Sequence, residues 1–381
     1  MAINLFEPVF DIDACLVQLR ECLEKGWTGM GFKTVEIEQA WKDYTGRPHA
    51  LFLNSCTAAL NLAVDVLKEQ NNWKDGCEIL TTPNTFVSTN HSILRSGLKP
   101  VFVDIDATMC MDPKDARKKI TDNTKAVIYV GIGGNAGHYD QIVQLCAEYG
   151  LKLILDAAHM AGTRLHGEHI GKEADVVCYS FQAVKNLPTG DSGMLCFRDA
   201  APDATARKKA WLGINKDTYQ RTLGEGGYRW QYQVEYVGDK YNGNAIMAAI
   251  ALAQLPLLEQ GNARRRQIAA LYRKYFAPYS DRIRMAKEIP DSESSCHLFQ
   301  IIVDQRDALM TYLGTQEIFA GVHYISNTRY SMYRSERNFC PNAEYISDHV
   351  ISLPMHLNLT DTQVRFVADT VISFLISNKE G

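Results

Sequence analysis

Leu151-Lys152-Leu153-Ile154-Leu155-Asp156-Ala157-Ala158-His159 reads as an apolar strand that runs out onto a carboxylate. A strand apolar on nearly every position belongs in a parallel sheet covered on both faces, because alternation would leave one face wet. Working outward, similar short runs occur at 50–53, 78–81, 100–103, 126–130, 176–179 and 194–197, with helical stretches such as 58–68 and 141–149 between them. That alternation predicts an α/β fold with a mostly parallel sheet and helices on its faces. Past residue 244 the texture changes. Helices are expected at 245–257 and 262–276, broken at Pro256 and Gly261, then strands at 297–303 and 317–324 around a helix at 306–313. Thr360 and Gln363 form a capping-box pattern ahead of a closing helix with a stripe at Val364, Val367, Ala368, Val371 and Leu375. The expected division is a large domain, 1–244, and a small α+β domain, 245–381.

Asp156 stands where the carboxyl end of a parallel strand collects ligands. A carboxylate there can keep a pyridinium nitrogen protonated, as a pyridoxal ring requires; it can also be an ordinary turn-forming Asp. In Tyr179-Ser180-Phe181-Gln182-Ala183-Val184-Lys185 a strand runs into a loop that continues to Gly190 and Gly193. A desolvated lysine loses proton affinity and attacks carbonyls as the free amine, whereas a surface lysine on a turn does neither. Ser55, Cys56 and Thr57 open a helix whose unpaired amides suit phosphate, or simply cap it. Phe86, after the strand at 78–81, is placed to stack on a ring or to fill the core. Together these give the order phosphate cup, stacking aromatic, ring-nitrogen acid, amine.

In that order the chain resembles the DegT/DnrJ/EryC1/StrS sugar aminotransferases, of the aspartate-aminotransferase fold type I. Gly26-Trp27-Thr28-Gly29-Met30-Gly31 is similar to the family's opening substrate loop, Ser55-Cys56-Thr57-Ala58-Ala59-Leu60 to its Ser-Gly-Thr-Ala-Ala-Leu cup, and Ser180-Phe181-Gln182-Ala183-Val184-Lys185 to Ser-Phe-His-x-x-Lys. Cys56 and Gln182 depart from the pattern. The resemblance implies a seven-stranded sheet and pyridoxal 5'-phosphate carried by the catalytic Lys185. It further implies a cofactor site of Cys56, Thr57, Phe86, Asp156, His159 and Ser180, and a homodimer in which Lys240 reaches the neighbouring subunit's phosphate. Trp27, Thr28, His323 and Tyr324 fall on the substrate side, as does the segment to His356. Gly131 and Gly133 replace bulkier family residues, which implies a roomier pocket. Glutamate is the implied amino donor. The wording of the loop from Gln182 to Gly193 points to 8-amino-3,8-dideoxy-manno-octulosonate as product, with a 3-keto or 4-keto nucleotide-linked hexose as the alternative acceptor. A dehydratase on the same fold and a non-catalytic regulator are further alternatives.

With 381 residues, 46% of them apolar, the chain can bury a full core. Forty basic against forty-four acidic residues give a net charge of -4, short of the basic excess nucleic acid demands. The first twenty residues lack a secretory pattern, and no apolar run is of membrane-spanning length. Ten scattered cysteines without a Cys-x-x-Cys pair argue against metal sites and disulfides, and for a reducing cytoplasm.

Overall fold

The expected apolar runs all become strands of one sheet: β1 (Leu51–Leu53), β2 (Glu78–Thr81), β3 (Lys99–Phe102), β4 (Thr124–Val130), β5 (Lys152–Asp156), β6 (Val176–Ser180) and β7 (Gly193–Phe197). The computed structural model describes residues 2–216, 219 and 232–377. Along the sheet the order is β1-β7-β6-β5-β4-β2-β3. Only β7 is reversed, pairing antiparallel with both β1 and β6, while β6, β5, β4, β2 and β3 pair in parallel. The pleat explains the continuous apolar runs. Val127, Tyr129, Leu153 and Leu155 enter one core, and Ala126, Ile128 and Ile154 enter the core on the opposite face.

The smaller unit is a three-stranded antiparallel sheet of Arg284–Met285, Phe299–Ile302 and Val350–Leu353. Helices Leu258–Phe276, Arg306–Thr315 and Asp361–Ser377 contribute to its core. The closing helix starts as its sequence predicts: Gln363 N–H donates to Thr360 Oγ1 at 3.2 Å and Thr360 N–H to Gln363 Oε1 at 3.0 Å. Val364, Val367, Ala368 and Val371 are buried beneath it.

Three expectations need correction. Residues 317–324 form no strand: Ile318 bridges the N-terminal Ile3, Gly321 bridges Ser352, and Gln300 Nε2 donates to His323 O, so the backbone leaves the sheet to reach the cavity below. Gly261 does not break a helix but lies within Leu258–Phe276; the interruption is a 3-10 turn at Leu255–Leu257, where Pro256 has no N–H to give. Strand Val350–Leu353 lies where only a substrate-side segment was expected. The proposed divide at 244/245 falls on Asn244, which caps helix Ala245–Gln254. Two features cross it: Ala245 and Ala249 pack with Cys22, and Ile3 belongs to the small unit's core. Among the described residues no helix is long and apolar enough to cross a membrane, and no cluster of residues could hold a metal ion.

Candidate active site

The carboxyl ends of the parallel strands open onto a cavity of about 440 Å³. Each strand end delivers one group. Asp156 ends β5, Ser180 ends β6, and the loop leaving β6 brings Gln182 and Lys185 back over the opening. After β1, Ser55 caps helix Cys56–Gln70, accepting from Ala58 N–H at 3.1 Å, which leaves the amides of Cys56 and Thr57 without intrahelical partners. This cup rests on Gly193: a Cβ there would come within 2.6 Å of Cys56 N.

Asp156 is 3% exposed. Thr89 Oγ1 donates to its Oδ2 at 2.7 Å and Ala158 N–H to its Oδ1 at 3.1 Å. Burial nonetheless raises its pKa, outweighing those hydrogen bonds and the pull of Lys185. A cationic ring nitrogen beside it would reverse that balance. Burial likewise lowers Lys185 to about 8, against the opposing influence of Cys56 and Asp156. About a tenth of the amine is therefore free at pH 7, against well under a thousandth for an ordinary lysine, which suits it to attack carbonyls and move protons.

His159 is buried and held well below its usual pKa, first by desolvation and then by Lys185 and His323. Gly133 N–H donates to its Nδ1 at 3.2 Å, so the ring proton sits on Nε2, directed at Tyr324 Oη 3.2 Å away. Gly133 reaches it with a φ of 64°, which glycine adopts without strain. The glycine loop does not enlarge the pocket. A Cβ on Gly131 would strike Met160 Sδ at 2.0 Å, and Gly134 lies against Ser295 and Cys296, so neighbouring residues fill the room the small side chains leave.

Of the residues picked out from sequence, Cys56, Thr57, Phe86, Asp156, His159, Ser180, Lys185, His323 and Tyr324 line this one cavity. Phe86 is 58% exposed there, near the Tyr324 ring. Trp27, Thr28, Lys240 and His356 do not line it. Trp27 Nε1 donates to Met30 O, Thr28 O accepts from Ala245 N–H, Lys240 Nζ lies 3.3 Å from the centre of the Trp211 ring, and His356 is buried beside Glu7. Phe6, Thr89 and His297 were missed. Thr89 had a signal, since it sits one helical turn after Thr85 on the helix that opens at Phe86. Phe6 and His297 come from segments distant in sequence and carry no local motif.

The residues of this cavity fit pyridoxal phosphate. They offer a phosphate cup with hydroxyls at Thr57 and Ser180, a buried acid with no cation bonded to it, and a desolvated amine within one cavity. The chain matches the DegT/DnrJ/EryC1/StrS aminotransferase family over residues 12–372. It is similar to the spore coat polysaccharide biosynthesis protein SpsC of Bacillus subtilis, 33% identical over 367 residues, 93% of this chain and 92% of that one. In structure it is similar to the aminotransferase TlmJ of Streptoalloteichus hindustanus, with a TM-score of 0.90, 30% identity and 99% and 100% of the two chains covered. It also resembles the PLP form of the putative sugar aminotransferase Spr1654 of Streptococcus pneumoniae, with a TM-score of 0.89, 26% identity and 99% of each chain covered.

Proposed function

Because the chain belongs to the DegT/DnrJ/EryC1/StrS aminotransferase family, a group of pyridoxal-phosphate enzymes, we propose that it transfers an amino group from glutamate to the carbonyl carbon of a sugar. The observation that carries this reading is the meeting of Lys185 and Asp156 in one cavity, with the cup at Cys56 and Thr57 on its wall. Bound pyridoxal phosphate supplies an aldehyde to exchange the amino group and a ring to accept electrons. The chain's own groups do the rest. Lys185 Nζ holds the aldehyde and, once displaced, carries a proton away from the donor's α-carbon. Asp156 keeps a proton on the ring nitrogen. Thr57, Ser180 and the free amides of Cys56 and Thr57 would hold the phosphate, while His159 and Phe86 would bind the ring. Tyr324 and His323 line the acceptor side. The enzyme acts in the cytoplasm as a homodimer, with Trp27 and Thr28 on the substrate side and Lys240 serving the partner's site.

The acceptor we favour is the terminal aldehyde of a free keto-sugar acid, giving 8-amino-3,8-dideoxy-manno-octulosonate for a surface polysaccharide; the support is the wording of the loop from Gln182 to Gly193. The decisive experiment uses purified protein with cofactor. Borohydride should fix the cofactor on the peptide carrying Lys185, glutamate should convert it to the amine form, and that form should aminate the keto-sugar acid in preference to 3-keto or 4-keto nucleotide-linked hexoses. Preference for a nucleotide-linked hexose overturns the acceptor. Turnover retained by Lys185→Ala overturns the reaction itself.

A further inference from the structure

Lys185 Nζ makes one hydrogen bond among the described residues, to His297 Nε2 at 3.5 Å, the long end of such contacts. Which way that bond runs is fixed by a chain of side-chain amides. Asn262 Nδ2 donates to Ala161 O at 2.8 Å, leaving Asn262 Oδ1 to accept from Asn186 Nδ2 at 2.7 Å. Asn186 Nδ2 also donates to Ser295 O at 2.8 Å. The amide of Asn186 is thereby oriented, and its Oδ1 faces His297 Nδ1 at 3.0 Å. A carbonyl oxygen can only accept, so His297 carries its proton on Nδ1 and turns the Nε2 lone pair to the lysine. The ring is 1% exposed and stacked under Phe6, with centroids 5.5 Å apart and planes 7° apart.

We propose that His297, with its proton kept on Nδ1 by Asn186, is a positioning residue that accepts a hydrogen bond from Lys185 Nζ and fixes where that amine stands when it is not joined to the cofactor. The proposal rests on Lys185 being the reacting amine. Desolvation holds His297 neutral, reinforced by Lys185, His159, Arg265 and His323; Cys56 and Asp156 are the other titratable groups that act on the amine, both favouring its charged form. A neutral acceptor favours the ammonium form, since it satisfies one N–H that burial has stripped of water.

The test needs no cofactor. In cofactor-free protein, trace acetylation of Lys185 followed by peptide mass spectrometry across pH should inflect near 8. His297→Leu should move the inflection down by about one unit, which makes labelling at pH 6 about tenfold faster. His297→Gln restores an acceptor oxygen and should stay within about threefold of the parent. Asn186→Leu does not remove the acceptor, yet should shift the inflection in the same direction by freeing the tautomer, and should add nothing to His297→Leu in the double variant. Should a leucine variant fail to fold, Asn186→Ala, which also removes the acceptor oxygen at position 186, makes the same comparison. An unchanged inflection in Asn186→Leu or Asn186→Ala, or shifts that add in the double variant, overturns the proposal. A failed borohydride trap would instead overturn the transaminase reading and leave this titration standing.

Discussion

A lysine held near pH 8 in a buried site costs the cofactor-free protein stability, and the sign can be worked out. The folded-state value of about 8 lies below the ordinary 10.5, so the unfolded chain binds more protons between those values and stability rises with pH across that window. Below 8 the penalty is fully present. Lys185→Met should therefore stabilise the cofactor-free protein at pH 7 by on the order of 2 kcal/mol, discounting for the water that still reaches the amine. The advantage should fade as pH climbs from 8 toward 10.5. Denaturant titrations at pH 7 and pH 10 check this, and an equal gain at both contradicts the depressed pKa. Asp156 makes the complementary case. Its carboxylate is buried without a bonded cation, at an energetic cost unless a cationic ring nitrogen arrives. Asp156→Asn keeps the shape and removes the charge. Cofactor should still bind, while the rate of the glutamate half-reaction, followed by absorbance in stopped flow, should fall about a hundredfold or more.

Elements, not single side chains, set the cup. Helix Cys56–Gln70 packs its N-terminus onto the first residue of β7, where only hydrogen fits: Gly193 has Cys56 N, Ser55 C and Tyr179 O all within 2.8 Å of where a Cβ would be. Gly193→Ala must push backbone away, and backbone cannot swing aside as a side chain does. Cofactor affinity, measured by equilibrium dialysis, should drop at least tenfold with overall helix content kept. This scale also separates what the sequence reveals from what it hides. All seven strands of the large sheet were legible, because burial on both faces writes an apolar residue at nearly every position, as in Leu153-Ile154-Leu155. The helices of the first domain are legible for the same reason wherever one face is buried. Residues 317–324 carry the composition of a strand, but Ile3, a residue more than three hundred positions away, takes the pairing at Ile318. Sequence periodicity cannot see that competition. Nor could it find His297, whose role follows from Asn186 and Asn262 rather than from its neighbours Cys296 and Leu298. The roomier pocket expected from Gly131 failed because Met160 fills the space.

At the scale of the whole molecule, the described lining of the cavity is short of cations. No arginine is among the described residues lining the cavity, and Lys185 is its only lysine, whereas a phosphate and a donor with two carboxylates bring several negative charges. We propose that the missing cations come from a partner chain. Lys240 lies outside the cavity over the Trp211 ring, on a segment where Val237 is 99% exposed and Val234 is also exposed. An apolar, outward-facing segment that carries a lysine fits a partner's surface better than water. Closed two-fold symmetry would then place each chain's Lys240 at the other's phosphate cup. The consequence is testable by mixing two inactive variants. Lys185→Ala removes the amine from its own chain's site, and Lys240→Ala removes the cation from its partner's. In a mixed dimer both losses fall on the same site, the one built on the Lys185→Ala chain, and the second site is wholly wild type. Random reassortment of equal amounts should thus recover about a quarter of the parental sites, read as turnover after refolding the two together. If each site is instead completed within its own chain, every site in every mixture keeps one defect, and mixing recovers nothing.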